Sequence, residues 1–230
     1  WCFRDLTIGS AVSASPDAPP APAWLAVPSD ANALASEVWP SSATRDDDGA
    51  LVVGGVSALD LRERFGTPLY VIDEDEVRAR ARRVRAAFED AAASHGTRAL
   101  VYYAGKAFLT VEFARWIAAE GLRIDVCSRG ELEVALRAGI DPARLGYHGN
   151  NKSASDLERA VDAGVGTIVV DSEIEIERLS AVAARRDAVQ RVLLRVRTGV
   201  HAETHAFLAT AHEDQKFGFA LEDVPAAVAR

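Results

Sequence analysis

From Ala99 onward, short apolar runs rich in β-branched residues alternate with segments whose apolar positions recur at helical spacing. The runs are Ala99 to Tyr103, Leu122 to Val126, Leu145 to His148, Thr167 to Val170 and Val192 to Val196. Between them, Leu132, Ala135 and Leu136, then Leu157, Ala160 and Val161, then Ile176, Leu179 and Val182 each mark one helical face. Ser128 with Glu131 and Ser172 with Glu175 have the Ser-x-x-Glu spacing of a reciprocal helix start. Strands joined by helical crossovers must run parallel under a cover of helices, which leaves a doubly wound sheet or a (β/α)8 TIM barrel. No Gly-x-Gly-x-x-Gly follows the first strand, which argues against dinucleotide binding in this α/β pattern, and if the fold is a barrel it is a partial one with about five of eight strands. The chain stops at Arg230 and contains no methionine, and is expected to be an incomplete reading frame.

Ahead of this region the pattern changes. Ser13 to about Pro40 is rich in Ala, Pro, Ser and Asp and reads as a mobile arm. Order is expected to begin near Leu51-Val52-Val53, followed by a helix from Ser57 to Phe65, a turn at Gly66-Thr67-Pro68 and a strand from Leu69 to Ile72. The expected organisation is a flexible arm over 1–48, a strand and helix segment over 49–72, and an incomplete barrel over 73–230.

A net charge of -8, with arginines interleaved among acids, argues against nucleic acid as a partner. No run approaches the roughly 20 apolar residues of a membrane span, and Trp1 to Ala11 lacks the apolar core of a secretory signal. Cys2 and Cys127 are too far apart to suggest a disulfide framework or a metal knuckle, and a cytoplasmic setting is expected. His201 and His205 have a spacing that would suit a metal on a helix, but no third ligand is evident and none is assigned.

Lysine usage changes the picture most. Of 26 basic residues only Lys106, Lys152 and Lys216 are lysine. Where a fixed positive charge suffices the chain uses arginine, which does not deprotonate in proteins, so a primary amine is required at one or more of these three positions. Lys106 follows the first barrel-type strand, and strand C-termini are where parallel α/β folds place their chemistry. Ala104, Gly105 and Ala107 leave space beside an amine able to form a Schiff base with a carbonyl.

The segment Tyr103-Ala104-Gly105-Lys106-Ala107-Phe108 resembles the Schiff-base lysine motif of the alanine-racemase-like, fold-type III pyridoxal-phosphate decarboxylases. Gly66-Thr67-Pro68-Leu69-Tyr70-Val71, Asp125 to Leu132, His148-Gly149-Asn150-Asn151-Lys152 and Asp214 to Gly218 are similar to further elements of the diaminopimelate decarboxylase branch, in the same order. The resemblance covers roughly Val52 to the C-terminus. It implies pyridoxal 5'-phosphate held by Lys106, with Asp125, Glu131, His148 and Arg195 near the cofactor and Lys216 bracing the mouth. It implies decarboxylation of meso-2,6-diaminopimelate to L-lysine by a homodimer. Asp125 also stands out as an acid ending an apolar strand, whereas Glu131 equally suits a helix start and Arg195 an outward position. The resemblance places the cofactor-stacking histidine, the phosphate loop, the acid facing the pyridine nitrogen and the β domain beyond Arg230, so the chain alone is expected to be inactive. Alternatives are an ornithine-, arginine- or carboxynorspermidine-type decarboxylase, or a non-catalytic cofactor-binding or regulatory homologue.

Overall fold

The computed structural model describes Asp30 and residues 32–36, 38–198 and 217–230. The stretch up to Trp39 and the body from Pro40 onward are separate compact units. In the first, the Ala33 N–H donates to the Asp30 carbonyl at 3.2 Å and the Trp39 N–H to the Ala35 carbonyl at 3.0 Å.

The body opens with an antiparallel meander of β1 (Thr44–Arg45), β2 (Leu51–Val53) and β3 (Val56–Ser57). Gly54 and Gly55, with φ of 57° and 79°, form the two-residue turn between β2 and β3, where a hairpin needs left-handed backbone at both positions. Order therefore begins ahead of the expected point near Leu51, since Thr44 and Arg45 pair with Val52 and Leu51 inside the segment expected as arm. Helix α1 (Ala58–Phe65) starts at Ser57, whose side chain accepts from the Leu59 N–H. The expected strand from Leu69 to Ile72 does not form. Its four apolar residues are exposed, Tyr70 at 97%, and a strand needs a partner edge, whereas none among the described residues pairs with it.

Asp73 starts the long helix α2 (Glu74–Ser94), accepting from the N–H groups of Asp75 at 2.9 Å and Glu76 at 3.3 Å. The Ser42 hydroxyl donates to the same carboxylate. That bond foremost, and the two backbone bonds, hold its pKa below the ordinary 3.8 against the opposing effect of burial. A carboxyl more acidic folded than unfolded contributes stability above its unfolded value and loses it as pH falls through the folded value. Asp73→Ala is expected to cost about 1 kcal/mol at neutral pH. In urea melts at a series of pH values, the gap between parent and variant should shrink below about pH 4.

The main sheet contains β4 (Tyr102–Ala104), β5 (Arg123–Val126), β6 (Leu145–Tyr147), β7 (Thr167–Val170) and β8 (Val192–Leu194). All neighbours are parallel and the spatial order follows the chain order. A doubly wound sheet reverses direction at a switch point, and this one does not. With right-handed crossovers, sequential order puts every connecting helix on one face and bends the other inward, as in a barrel wall. The connecting helices are α3 (Val111–Ala119), α4 (Arg129–Arg137), α5 (Ala154–Ala163) and α6 (Glu173–Arg185). A last helix, α7 (Val224–Ala229), follows a parallel bridge between Val196 and Phe219 beyond β8.

The core lies between sheet and helices. Ile124, Val126, Leu145 and Ile168 from the strands meet Leu132 and Leu157 from α4 and α5, all fully buried. Each such side chain contributes about 1.5–3 kcal/mol of burial. The strands are shorter than the apolar runs: β4 begins at Tyr102 rather than Ala99, and β8 ends at Leu194 rather than Val196.

The helix starts also differ from the spacing argument. The reciprocal box is formed by Ser153 and Asp156, not by the Ser-x-x-Glu pairs. Glutamate is one methylene longer than aspartate and reaches one residue further back. Glu131 accepts from the Cys127 N–H at 2.7 Å, and Glu175 accepts from the Asp171 N–H at 2.9 Å.

Candidate active site

Paired residues on neighbouring parallel strands point to the same face, so register sorts the side chains. Tyr102 and Ala104 are level with Arg123 and Asp125; Asp125 is level with Gly146, Gly146 with Thr167, and Val169 with Leu193. Because Ile124, Leu145 and Ile168 face the helices, this second set faces the inside of the curved sheet. Counting on by two beyond β5 to β8 places Cys127, His148, Asp171 and Arg195 on the inner side of the C-terminal rim. Asp125, His148 and Arg195, three of the residues singled out in the sequence, thus share one side of one rim, and Lys106 follows β4 at the same end of the sheet.

Lys106 sits on a single 3-10 turn, Gly105–Ala107, directly after β4 and is exposed. The Tyr103 hydroxyl closes the turn by donating to the Phe108 carbonyl at 2.8 Å. Burial pushes the Tyr103 hydroxyl's pKa up, keeping it a donor. Phe113 packs against both Tyr103 and Phe108 with ring centroids 5.2 Å apart in each case. Glycine is required at 105: a Cβ there would lie 2.9 Å from the Asp125 carbonyl oxygen and 3.5 Å from Glu131 Oε2. The Glu131 carboxylate, tied to the Cys127 N–H, is therefore at the base of the lysine turn as well as at a helix start. Cys127 is the free cysteine of the described residues. Burial first, and then the charges of Asp125 and Glu131, raise its pKa, while the Lys106 charge lowers it.

Asp125 Oδ2 lies 3.5 Å from His148 Nδ1. His148 Nε2, on the other side of the ring, is buried with no hydrogen-bond partner among the described residues. Gly146 makes room for this pair, since a Cβ would come within 3.4 Å of Asp125 Oδ1 and 3.2 Å of the Tyr102 ring. Tyr102, Asp125, Gly146, His148, Thr167 and Leu193 are among the residues lining a cavity of about 260 Å3 under the rim. Arg195 Nη1 pairs with Asp171 Oδ1 at 2.9 Å, and its guanidinium carbon is 5.2 Å from the centre of the Phe217 ring. A larger apolar hollow of about 640 Å3 between α6, β8 and α7 contains none of these groups.

Sequence reasoning left Asp171 out and gave Lys152 no role of its own. Lys152 is buried and reaches Glu175 Oε1 at 2.6 Å and the Val169 carbonyl at 2.8 Å; it also donates to the Gly149 carbonyl. The available signal was lysine scarcity, which marks Lys152 as it marks Lys106. Lys216, His201 and His205 lie outside the described residues. Among the described residues no three His, Cys, Asp or Glu side chains cluster tightly enough to hold a metal, and no helix is long and apolar enough to cross a membrane.

An amine on a turn, a fixed guanidinium and an orphaned, buried imidazole nitrogen around one rim suit a ligand combining a carbonyl, an anionic group and a polar ring. Pyridoxal phosphate is such a ligand, and the residues present fit it. Residues 74–230 match the family model described as pyridoxal-dependent decarboxylase, pyridoxal binding domain. The chain belongs to that family. Among curated proteins it is 54% identical over 188 residues to the diaminopimelate decarboxylase of Mycobacterium bovis, covering 82% of this chain and 40% of that protein. It is 48% identical over 190 residues to the diaminopimelate decarboxylase of Corynebacterium efficiens, covering 83% and 40%. Among solved structures, diaminopimelate decarboxylase from M. jannaschii in co-complex with L-lysine superposes with a TM-score of 0.73 at 26% identity, over 83% of this chain and 44% of that one. The partial barrel is thus of the alanine-racemase-like type found in those enzymes, and the chain spans about 40% of the length of the curated relatives it matches.

Proposed function

We propose that the complete protein carrying this chain removes carbon dioxide from meso-2,6-diaminopimelate to give L-lysine, and that this chain provides the cofactor-holding half of its barrel. The reading is carried by the placement of Lys106 on the turn after β4 in a chain 54% identical over 188 residues to a diaminopimelate decarboxylase. Pyridoxal phosphate, when bound, supplies a carbonyl for condensation with an amine and a ring that withdraws electrons from the substrate's α-carbon.

The chain's own residues would then divide the work. Lys106 offers the amine, on a turn stiffened by Tyr103 and by the small Gly105. Asp125 holds the Nδ1 side of His148, which leaves Nε2 to meet a ligand. Arg195 offers a planar guanidinium that suits an anionic group. Glu131, anchored on the Cys127 N–H, keeps a carboxylate beside the lysine turn. A small-molecule amino acid is the proposed substrate, and a cytoplasmic homodimer the proposed form of the complete enzyme.

The test is to supply the purified complete protein with pyridoxal phosphate and, separately, meso-diaminopimelate, ornithine, arginine and carboxynorspermidine, and to measure carbon dioxide and amine products. Lysine from diaminopimelate is expected. Release from another substrate alone would reassign the specificity, and no release from any would favour a cofactor carrier or regulator. The 230-residue chain by itself is expected to give no lysine.

A further inference from the structure

We infer that Asp171 is a positioning residue for Arg195, and that the buried Lys152–Glu175 pair behind it ties Arg195 to the turn bearing His148. The inference rests on the proposed cofactor site and adds residues that act on it from behind. Asp171 follows β7 and is buried, as are Glu175 and Lys152. A buried carboxylate persists only with partners, and each oxygen of Asp171 has one: Oδ1 takes Arg195 Nη1 at 2.9 Å and Oδ2 takes the Gly218 N–H at 3.4 Å. The segment supplying that N–H is pressed against β8, since a Cβ at Gly218 would lie 2.7 Å from the Arg195 carbonyl oxygen. Phe217 beside it presents its ring to the guanidinium. A long side chain that would otherwise explore many rotamers is thus fixed in direction and in plane.

Asp171 is itself held from behind. Its N–H donates to Glu175 Oε2 at 2.9 Å, and the other oxygen of Glu175 lies 2.6 Å from Lys152 Nζ. An ammonium has three donors. Lys152 donates to the Val169 carbonyl and to the Gly149 carbonyl, the last one residue from His148, and pairs with Glu175 by charge. From Gly149 to Arg195 hydrogen bonds and one ion pair run through the buried side chains of Lys152, Glu175 and Asp171, so the imidazole side and the guanidinium side of the rim are set together. Glu131 occupies the same position in the β5–α4 unit that Glu175 occupies in the β7–α6 unit, accepting the N–H of the residue four back. Only the second of these glutamates has a lysine partner among the described residues.

The experiment uses the complete protein stripped of cofactor, with the dissociation constant of added pyridoxal phosphate read by absorbance titration without substrate. Asp171→Asn has one acceptor oxygen for two donors and must turn its NH2 against Arg195 or Gly218. It is expected to weaken binding about tenfold. Arg195→Gln should weaken it at least as much, and the double variant no more than Arg195→Gln alone, because Asp171 acts only through the guanidinium. Glu175→Gln serves as a second probe: a smaller weakening that also vanishes in the Arg195→Gln background supports the same chain. Equal effects of Asp171→Asn with and without Arg195 would overturn the inference while leaving the proposed function standing. A parent protein that binds no pyridoxal phosphate would overturn both.

Discussion

Lys106→Ala is expected to lower diaminopimelate turnover by the complete protein at least a thousandfold, a barrier increase of about 4 kcal/mol. The folding free energy should hardly change, because the side chain is exposed at the rim and makes no ion pair among the described residues. Loss of activity without loss of stability separates a reacting amine from a structural one. Arginine at the same position should fail as completely, since a guanidinium keeps the charge and is not a usable nucleophile. Borohydride reduction of the cofactor-loaded parent, followed by peptide mapping, is expected to leave the pyridoxyl label on the peptide containing Lys106. A label on the peptide of Lys152 or Lys216, or an active Lys106→Ala protein, would remove Lys106 from the chemistry. Gly105→Ala offers a check on placement: its Cβ would strike the Asp125 carbonyl oxygen, so the turn must shift and take the amine with it.

Lys152→Met is expected to have the largest effect on stability, about 3–5 kcal/mol, because removing one member of a buried ion pair strands the other. The side chains of Lys152 and Glu175 are 1% and 7% exposed, so water cannot replace the lost partner. Methionine fills much of the lysine volume but leaves the Glu175 carboxylate without its counter-charge and the Gly149 and Val169 carbonyls without their donor. Glu175→Gln should cost less, because it keeps an acceptor for the Asp171 N–H. Lys152→Met combined with Glu175→Leu should recover part of the loss, as apolar replacement of a whole buried pair often does. Urea unfolding of the three variants measures these differences. A Lys152→Met protein as stable as the parent would mean that the pair contributes little and that the rim is held by backbone alone.

Much of the site could be read without coordinates because it follows strand alternation. Asp125, His148 and Arg195 lie at or near the ends of apolar runs, and a period of two sends all three to the same face once register is set, while Lys106 follows β4 on a 3-10 turn that this period does not describe. Glu131 was readable only as a choice between helix start and site. The structure has it accepting the Cys127 N–H while its carboxylate lies near Gly105, and side-chain length decided that outcome. Asp171 and its link to Arg195 were not readable, since the partners are 24 residues apart and meet only when β7 and β8 lie side by side. Lys152 and Val169 are 17 residues apart for the same reason.

Local pattern alone settled the alternation of strand and helix, the helical faces of α4, α5 and α6, and the position of the amine after the first barrel strand. These depend on neighbours in the chain, through steric preference and the burial of one face. Tertiary structure decided where strands begin and end, why Leu69 to Ile72 is exposed and unpaired, and which charges lie together. A ladder, an ion pair or an inward-facing rim needs a second segment brought close from a distance, and the identity of that segment is a property of the packed chain.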